Sequence, residues 1–422
     1  NLAGLSETLV QALAATQMQA LSATNLSSLA DTQLAALSTT QVAALTTTQV
    51  HGMNETNIAA FSETQVGALT ATQMARLTSE AVVALEATQF AALNTTQVRA
   101  LTAAQIGALE AADVSDFAAT QLAAMSVTQV RALTSTNLAG LADTQVAALT
   151  ATQVQSLSTT NFASLSETQI AALSTTQVGA LSTSQLRALS SASFSALAET
   201  QVAALSATQI AGLTTTQIND LSSADVAEIG SAQLVNLTTT QVRGLTTTNV
   251  GDLADTQVAA FTTTQIQALS TTNLSALVDT QVAALTTTQA RALTATQLGG
   301  LSAGDIGEFT AAQVAALSNT QVQALAATQL VALADTQVAA LTAAQIAAIS
   351  ATTATGSPQG APNRREVTSH TVTNPAKPST ATDRVLPARI APGDAGVANR
   401  RARVPVWRSV STERAAKPTE YL

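Results

Sequence analysis

The chain has 422 residues, 46% of them hydrophobic but only 2% aromatic and 10% charged, with a formal net charge of −9. An apolar content made almost wholly of Ala, Leu, Val and Ile excludes a thick globular core, because such side chains fill only narrow gaps between close backbones. The absence of cysteine excludes disulfides, thiolate nucleophiles and Cys-ligated metals, and leaves the compartment open.

The chain is inside a repeat almost from its first residue. Asn1 precedes an octad starting at Leu5, with no initiator Met and no charged-then-apolar leader, which reads as a fragment whose targeting signal is missing. Every eighth residue from Leu5 through Ile349 is apolar, mostly Leu, and so is every eighth residue from Val10 through Ile346. The residue before each member of the second set is Gln in most octads and otherwise usually Asn or Asp; Leu9, Ala81 and Ser193 depart from this. Ser, Thr, Gln or Asn interrupts every apolar run well before the roughly 18 residues of a membrane span.

The octad at Leu37, "LSTTQVAA", shows what this spacing builds. In one continuous helix the Leu stripe would drift about 80° per octad and wrap around the rod. In a strand the two large apolar positions, five and then three residues apart, would face opposite sides. A β-solenoid that bends around this mismatch is the alternative, but Ala is abundant and turn residues are sparse. A short capped helix satisfies every position. Ser38 is its N-cap, Gln41 at N3 completes the capping box, Leu37 and Val42 form the hydrophobic staple, and Leu45 ends the helix while preceding the next N-cap. Helices this short are not stable alone. The expected fold is therefore all-α, a solenoid of very short capped helices, one per octad, stabilised by nearest-neighbour contacts.

Charges along the array agree with that frame. Acidic residues at N1, from Glu7 and Asp31 to Asp335, sit where the helix dipole favours negative charge, and five of the six repeat-region arginines directly follow the Val position. A longer repeat is superposed, since "LADTQ" recurs at Leu29, Leu141 and Leu253, 112 residues apart, and again at Leu333. With it recur the irregular octads "LTSEAVVA" and "LSSASFSA" and the acidic octads "LEAADVSD" and "LSSADVAE". Such duplication is common in spacers and stalks.

Three acidic octads pair Asp113 with Asp116, Asp225 with Glu228, and Asp305 with Glu308. Two carboxylates fall short of the about six to eight oxygens that Ca²⁺ requires, so these read as solvated acidic patches, with no metal site and no cofactor. His51 is the only repeat-region histidine, which rules out a His-based triad or a His-rich zinc site there.

The composition changes sharply near residue 351. All eight prolines, Trp407 and Tyr421 lie beyond it, with 11 basic against 5 acidic residues, net +6, whereas the preceding part is net −15. Two regions follow: an octad-repeat solenoid over 1–351, and a Pro/Arg-rich, disordered basic tail over 352–422. The tail has the charge to engage nucleic acid or an acidic surface; the repeats do not.

The stretch "LTATQVQSL" at Leu149–Leu157 resembles the opening helix of TAL effector repeats. It covers nine residues of a longer unit whose DNA-reading loop is missing here, so DNA recognition does not carry over. Over the whole array, the Ala/Thr/Gln-rich octads look like the repeats of long bacterial secreted or surface proteins of adhesin-like type. That resemblance implies a non-enzymatic stalk or display surface outside a bacterial cell, with a protein or surface ligand that the residues do not identify. The competing expectations are a β-solenoid with a Thr-rich adhesive or ice-binding face, and an intracellular scaffold acting through the basic tail.

Overall fold

The computed structural model describes residues 4–355, with side-chain surroundings through residue 350. Among the described residues are 43 helices and no strand, so the array is all-α and the β-solenoid is set aside. The reason lies in the octad, whose unevenly spaced apolar positions meet across a helix entrance but would be parted by a pleat.

Each octad builds one helix of about one and a half turns. In α5 (Thr39–Ala44), Ser38 is extended at φ −70°, ψ 155°, and its hydroxyl oxygen accepts from the Gln41 N–H at 3.2 Å. The Gln41 Oε1 reciprocates by accepting from the Ser38 N–H at 2.8 Å. Leu37 and Val42 are buried beside this box. Leu45 closes α5, its N–H donating to the Val42 carbonyl, and its ψ of 139° swings the chain to Thr46, the N-cap of α6 (Thr47–His51). Where Ala replaces the capping hydroxyl, as at Ala142, the Gln145 Oε1 still accepts from the N-cap N–H, at 2.8 Å. Ser38→Ala is therefore expected to cost only about 1 kcal/mol, measured as a small shift in denaturant midpoint.

These helices persist because they stack. Each packs chiefly on the helix three octads away: α5 lies between α2 (Ala15–Ala20) and α8 (Glu63–Ala68), and α19 (Ala151–Ser156) packs on α22 (Thr175–Ala180). Three octads thus make one turn of the solenoid. The Val and Leu positions fill its narrow interior, with Val42, Val66 and Ile106 wholly buried and Phe90 edge-on to Phe117 at 5.1 Å between ring centres. Small residues at the octad's end set how closely turns approach; a Cβ on Gly300 would fall 2.7 Å from the Thr271 Cγ2.

The last described helix, α43 (Ala343–Thr355), has 13 residues and runs through the point where another octad would turn. That octad has Thr353 in place of Gln and Ala354 in place of Val, so it lacks both box and staple. Ser350 instead donates its hydroxyl back to the Ile346 carbonyl at 3.1 Å. Positions 351 and 352 lie within α43. The basic tail lies, beyond Thr355, outside the described residues.

Candidate functional site

The recurrent polar chemistry of the array is a buried carboxamide. Gln153, in α19, is 2% exposed, and its Oε1 accepts from the Thr150 N–H at 2.6 Å, which caps its own helix. Its Nε2 points the other way and donates to the carbonyls of Leu122 at 2.9 Å and Met125 at 2.8 Å, at the end of α15 (Ala119–Ala124) one turn earlier. The Leu122 carbonyl also accepts from the C-cap N–H of Met125 at 3.1 Å, so the amide supplies its second bond and meets the Met125 carbonyl beyond the helix end. One amide therefore caps the start of one helix and the end of another. The same offsets of 31 and 28 residues join Gln41 to Val10 and Leu13, and Gln345 to Val314 and Leu317.

Only half of this is legible in the octad itself. Its spacing places Gln41 in a capping box, a role that Glu fills equally well. Yet Glu never stands at this position in the array. A carboxylate there would face two carbonyl oxygens with nothing to donate, so the exclusion of Glu was the available signal. Asn is tolerated because it keeps the donor, although its shorter side chain reaches a single carbonyl, Leu109 from Asn137 at 3.0 Å and Ser27 from Asn57 at 3.3 Å.

The acidic octads substitute Asp at this same position. Asp113 accepts from the Glu110 N–H at 2.8 Å, and Asp116 is the C-cap of α14 (Ala111–Ser115). Asp225 and Asp305 cap the N–H groups of Ser222 and Ser302 at 2.7 and 2.8 Å. Lacking an amide donor, each of these two recruits a hydroxyl from the neighbouring turn, Ser195 at 2.9 Å and Ser275 at 2.7 Å. The irregular octad "LSSASFSA" supplies Ser195, whereas Val83 stands at the equivalent place opposite Asp113. Among the described residues no three potential ligands converge on a metal position.

Carboxylates stack on like charges instead. Burial, the charge of Asp225 and that of Glu199 raise the Glu228 carboxyl above its ordinary 4.5. Burial, a hydrogen bond and charge from Asp279, and the charge of Asp305 raise Glu308 likewise. Asp305 moves the other way: burial pushes it up, but hydrogen bonds from Ser275 and Ser302 together hold it below 3.8. Glu228 and Glu308 therefore contribute stability that is present below their unfolded values and lost as pH rises through their raised folded values; Asp305 opposes this, losing its contribution as pH falls through its lowered value. Glu308→Gln is expected to raise the thermal midpoint slightly near neutral pH and to flatten its rise on acidification. An unchanged pH profile would refute the stacked-charge account.

His51, the last residue of α6, is exposed, and its Nδ1 lies 3.0 Å from the Arg76 carbonyl across one turn. A shallow surface groove of about 540 Å³ is lined by Thr183, Arg187, Thr208, Gly212 and Asn236, with Arg187 the charged group among its lining residues.

No curated protein matches the chain. Two segments, residues 82–118 and 226–263, match a family model described as the ALTTAQ repeat. The first contains "ALTAAQ" at Ala100–Gln105, the end of one octad joined to the capping box of the next. The geometry of the octads and this match agree that the chain is a helical repeat protein, similar over these segments to the ALTTAQ repeat.

Proposed function

We propose that the array is a non-catalytic spacer, an extended stalk or display surface, and part of a bacterial secreted or cell-surface protein. The observation that carries the first point is the constancy of one interface. The glutamine bridge keeps its offsets from Gln41 to Gln345, so each added octad extends the solenoid without altering the turns already formed. The 112-residue internal duplication is the genetic counterpart of such extensibility. The location rests on the likeness of the octads to repeats of long bacterial surface proteins, and surface labelling of intact cells tests it. For the spacer role, deletion of residues 141–252 is expected to leave a folded helical particle shorter by roughly 40 Å, taking about 8–10 Å per stacked turn. Electron microscopy measures that length. A particle of unchanged length, or an unfolded chain, would refute the reading.

A further inference from the structure

The last position of an octad meets the N1 position of the octad one turn earlier, 29 residues back. A Cβ on Gly212 would meet Thr183 there, and the Asp220 and Asp252 carboxylates accept from the Ser191 and Ser223 hydroxyls at 2.6 Å. Among the described residues two of these seams set acid on acid instead, Glu228 on Glu199 and Glu308 on Asp279. The second seam, between α35 (Asp279–Ala284) and α38 (Ala303–Gly307), gathers further weak points. Val278, 51% exposed, is the only Val at an N-cap position of the array, and its side chain supplies no capping bond to α35. Gly304 and Gly307 fall within the five residues of α38, where glycine is the poorest helix former after proline. A Cβ on either would sit at ordinary contact distance, 3.5 Å from the Ser302 Oγ and 3.7 Å from the Ala332 carbonyl oxygen, so packing does not demand glycine. α35 and α38 also pack more loosely on each other than α32 (Asp255–Ala260) and α35 do.

We propose that the turn between α35 and α38 is a hinge in the rod, open when Glu308 and Asp279 are both ionised and closed when they share a proton. The charge facing Glu308 is of one sign. α35 brings Asp279 and α38 itself brings Asp305, while α41 (Ala327–Val331), packed on the other side, has no charged residue. The chain neighbours α37 (Ala295–Gly300) and α39 (Ala311–Ala316) have none either, and Arg291 lies on α36 (Thr287–Ala292), which packs chiefly on α39. Burial, the hydrogen bond and charge of Asp279, and the charge of Asp305 raise the Glu308 carboxyl. The closing contact is therefore present below its unfolded value and is lost as pH rises through its raised folded value. Burial acts to raise Asp305, but hydrogen bonds from Ser275 and Ser302 lower it overall, so it stays ionised beside Glu308. Opening here lets the last turns swing against the rest of the rod. Glu228 on Glu199 adds repulsion to a firmer turn, because α28 (Ser223–Glu228) has no glycine and keeps its Ser222 cap.

Hydrogen exchange of the full chain, corrected for the intrinsic pH dependence of exchange, tests this at about pH 7.5 and about pH 4.5, above and near the ordinary Glu value of about 4.3. Protection of residues 279–284 and 303–308 relative to α19 and α22 is expected to be roughly two- to fivefold lower at the higher pH, the size of one exposed charge interaction. Glu308→Gln abolishes that difference. Asp279→Ser, which copies the Ser223 and Asp252 seam, lessens it. Gly304→Ala with Gly307→Ala raises protection at both pH values and keeps the ratio between them. In negative-stain images, bends of the unaltered rod gather at the turn between α35 and α38 at the higher pH and vanish in Glu308→Gln. Equal protection at both pH values overturns the proposal, as does a difference that persists undiminished in either acidic-site variant, or bending spread evenly along the rod.

Discussion

Gln153→Glu is expected to destabilise the array around residues 120–155 by about 3–5 kcal/mol near neutral pH, the cost of an uncompensated buried charge. Gln153→Ala, which removes the amide's bonds to the Leu122 and Met125 carbonyls and to the Thr150 N–H, is expected to cost about 2–3 kcal/mol. The order is informative, because Glu preserves the capping acceptor and side-chain length and changes only the donor. If capping alone mattered, Glu would be the milder change. The introduced carboxyl faces the Leu122 and Met125 carbonyls, so its folded pKa must rise above its unfolded value. Its penalty is then present above the folded pKa and fades as pH falls towards the ordinary range of about 4.3. A protonated Glu also carries an O–H that restores one donor. Because stability in such arrays is local, hydrogen exchange at the amides of residues 120–155 reads the effect more directly than a global melt. Gln153→Glu proving milder than Gln153→Ala at neutral pH would refute the bridging role.

Deletion of four residues, 149–152, is expected to split the solenoid, whereas deletion of the whole octad 149–156 leaves it continuous. In the first case the helices beyond the cut meet the preceding turn half an octad out of register. Each bridging amide then misses its carbonyls, at about 1 kcal/mol per lost bond, and Val and Leu side chains lose their cover, at about 1.5–3 kcal/mol each. One whole turn of contacts is lost, so unfolding separates into two transitions and proteolysis concentrates near the cut. In the second case every octad still meets an octad. Only special pairings that span the cut are exchanged, and Ser195 with Asp225 and Ser275 with Asp305 lie wholly beyond it. A single unchanged transition after the four-residue deletion would show that the turns do not depend on octad register.

Much of this protein was legible locally. Ser38, Gln41, Leu37 and Val42 lie within six consecutive residues, and capping box and staple are short-range interactions, so their spacing alone specified where each helix starts and ends. The acidic N1 positions and late arginines are equally local, since the helix dipole acts within one turn. The failure of the octad at Ile349 follows the same logic, as Thr353 and Ala354 remove box and staple together.

The partner turn was not legible. An eight-residue repeat states that neighbours are equivalent, but not whether the chain closes after two, three or four of them, because that depends on the angle between successive helices and on how closely small residues let backbones approach. The contacts between α5 and α8 decide it at three. Only then do Gln153 and Leu122, 31 residues apart, become partners, and Ser195 acquire its reason for standing opposite Asp225. The sequence by itself determined the helix, its caps and its length, because those are set by groups within one octad. Tertiary structure decided the number of octads per turn and the second role of the glutamine, because these depend on backbone groups whose positions exist only after the chain has wound back upon itself.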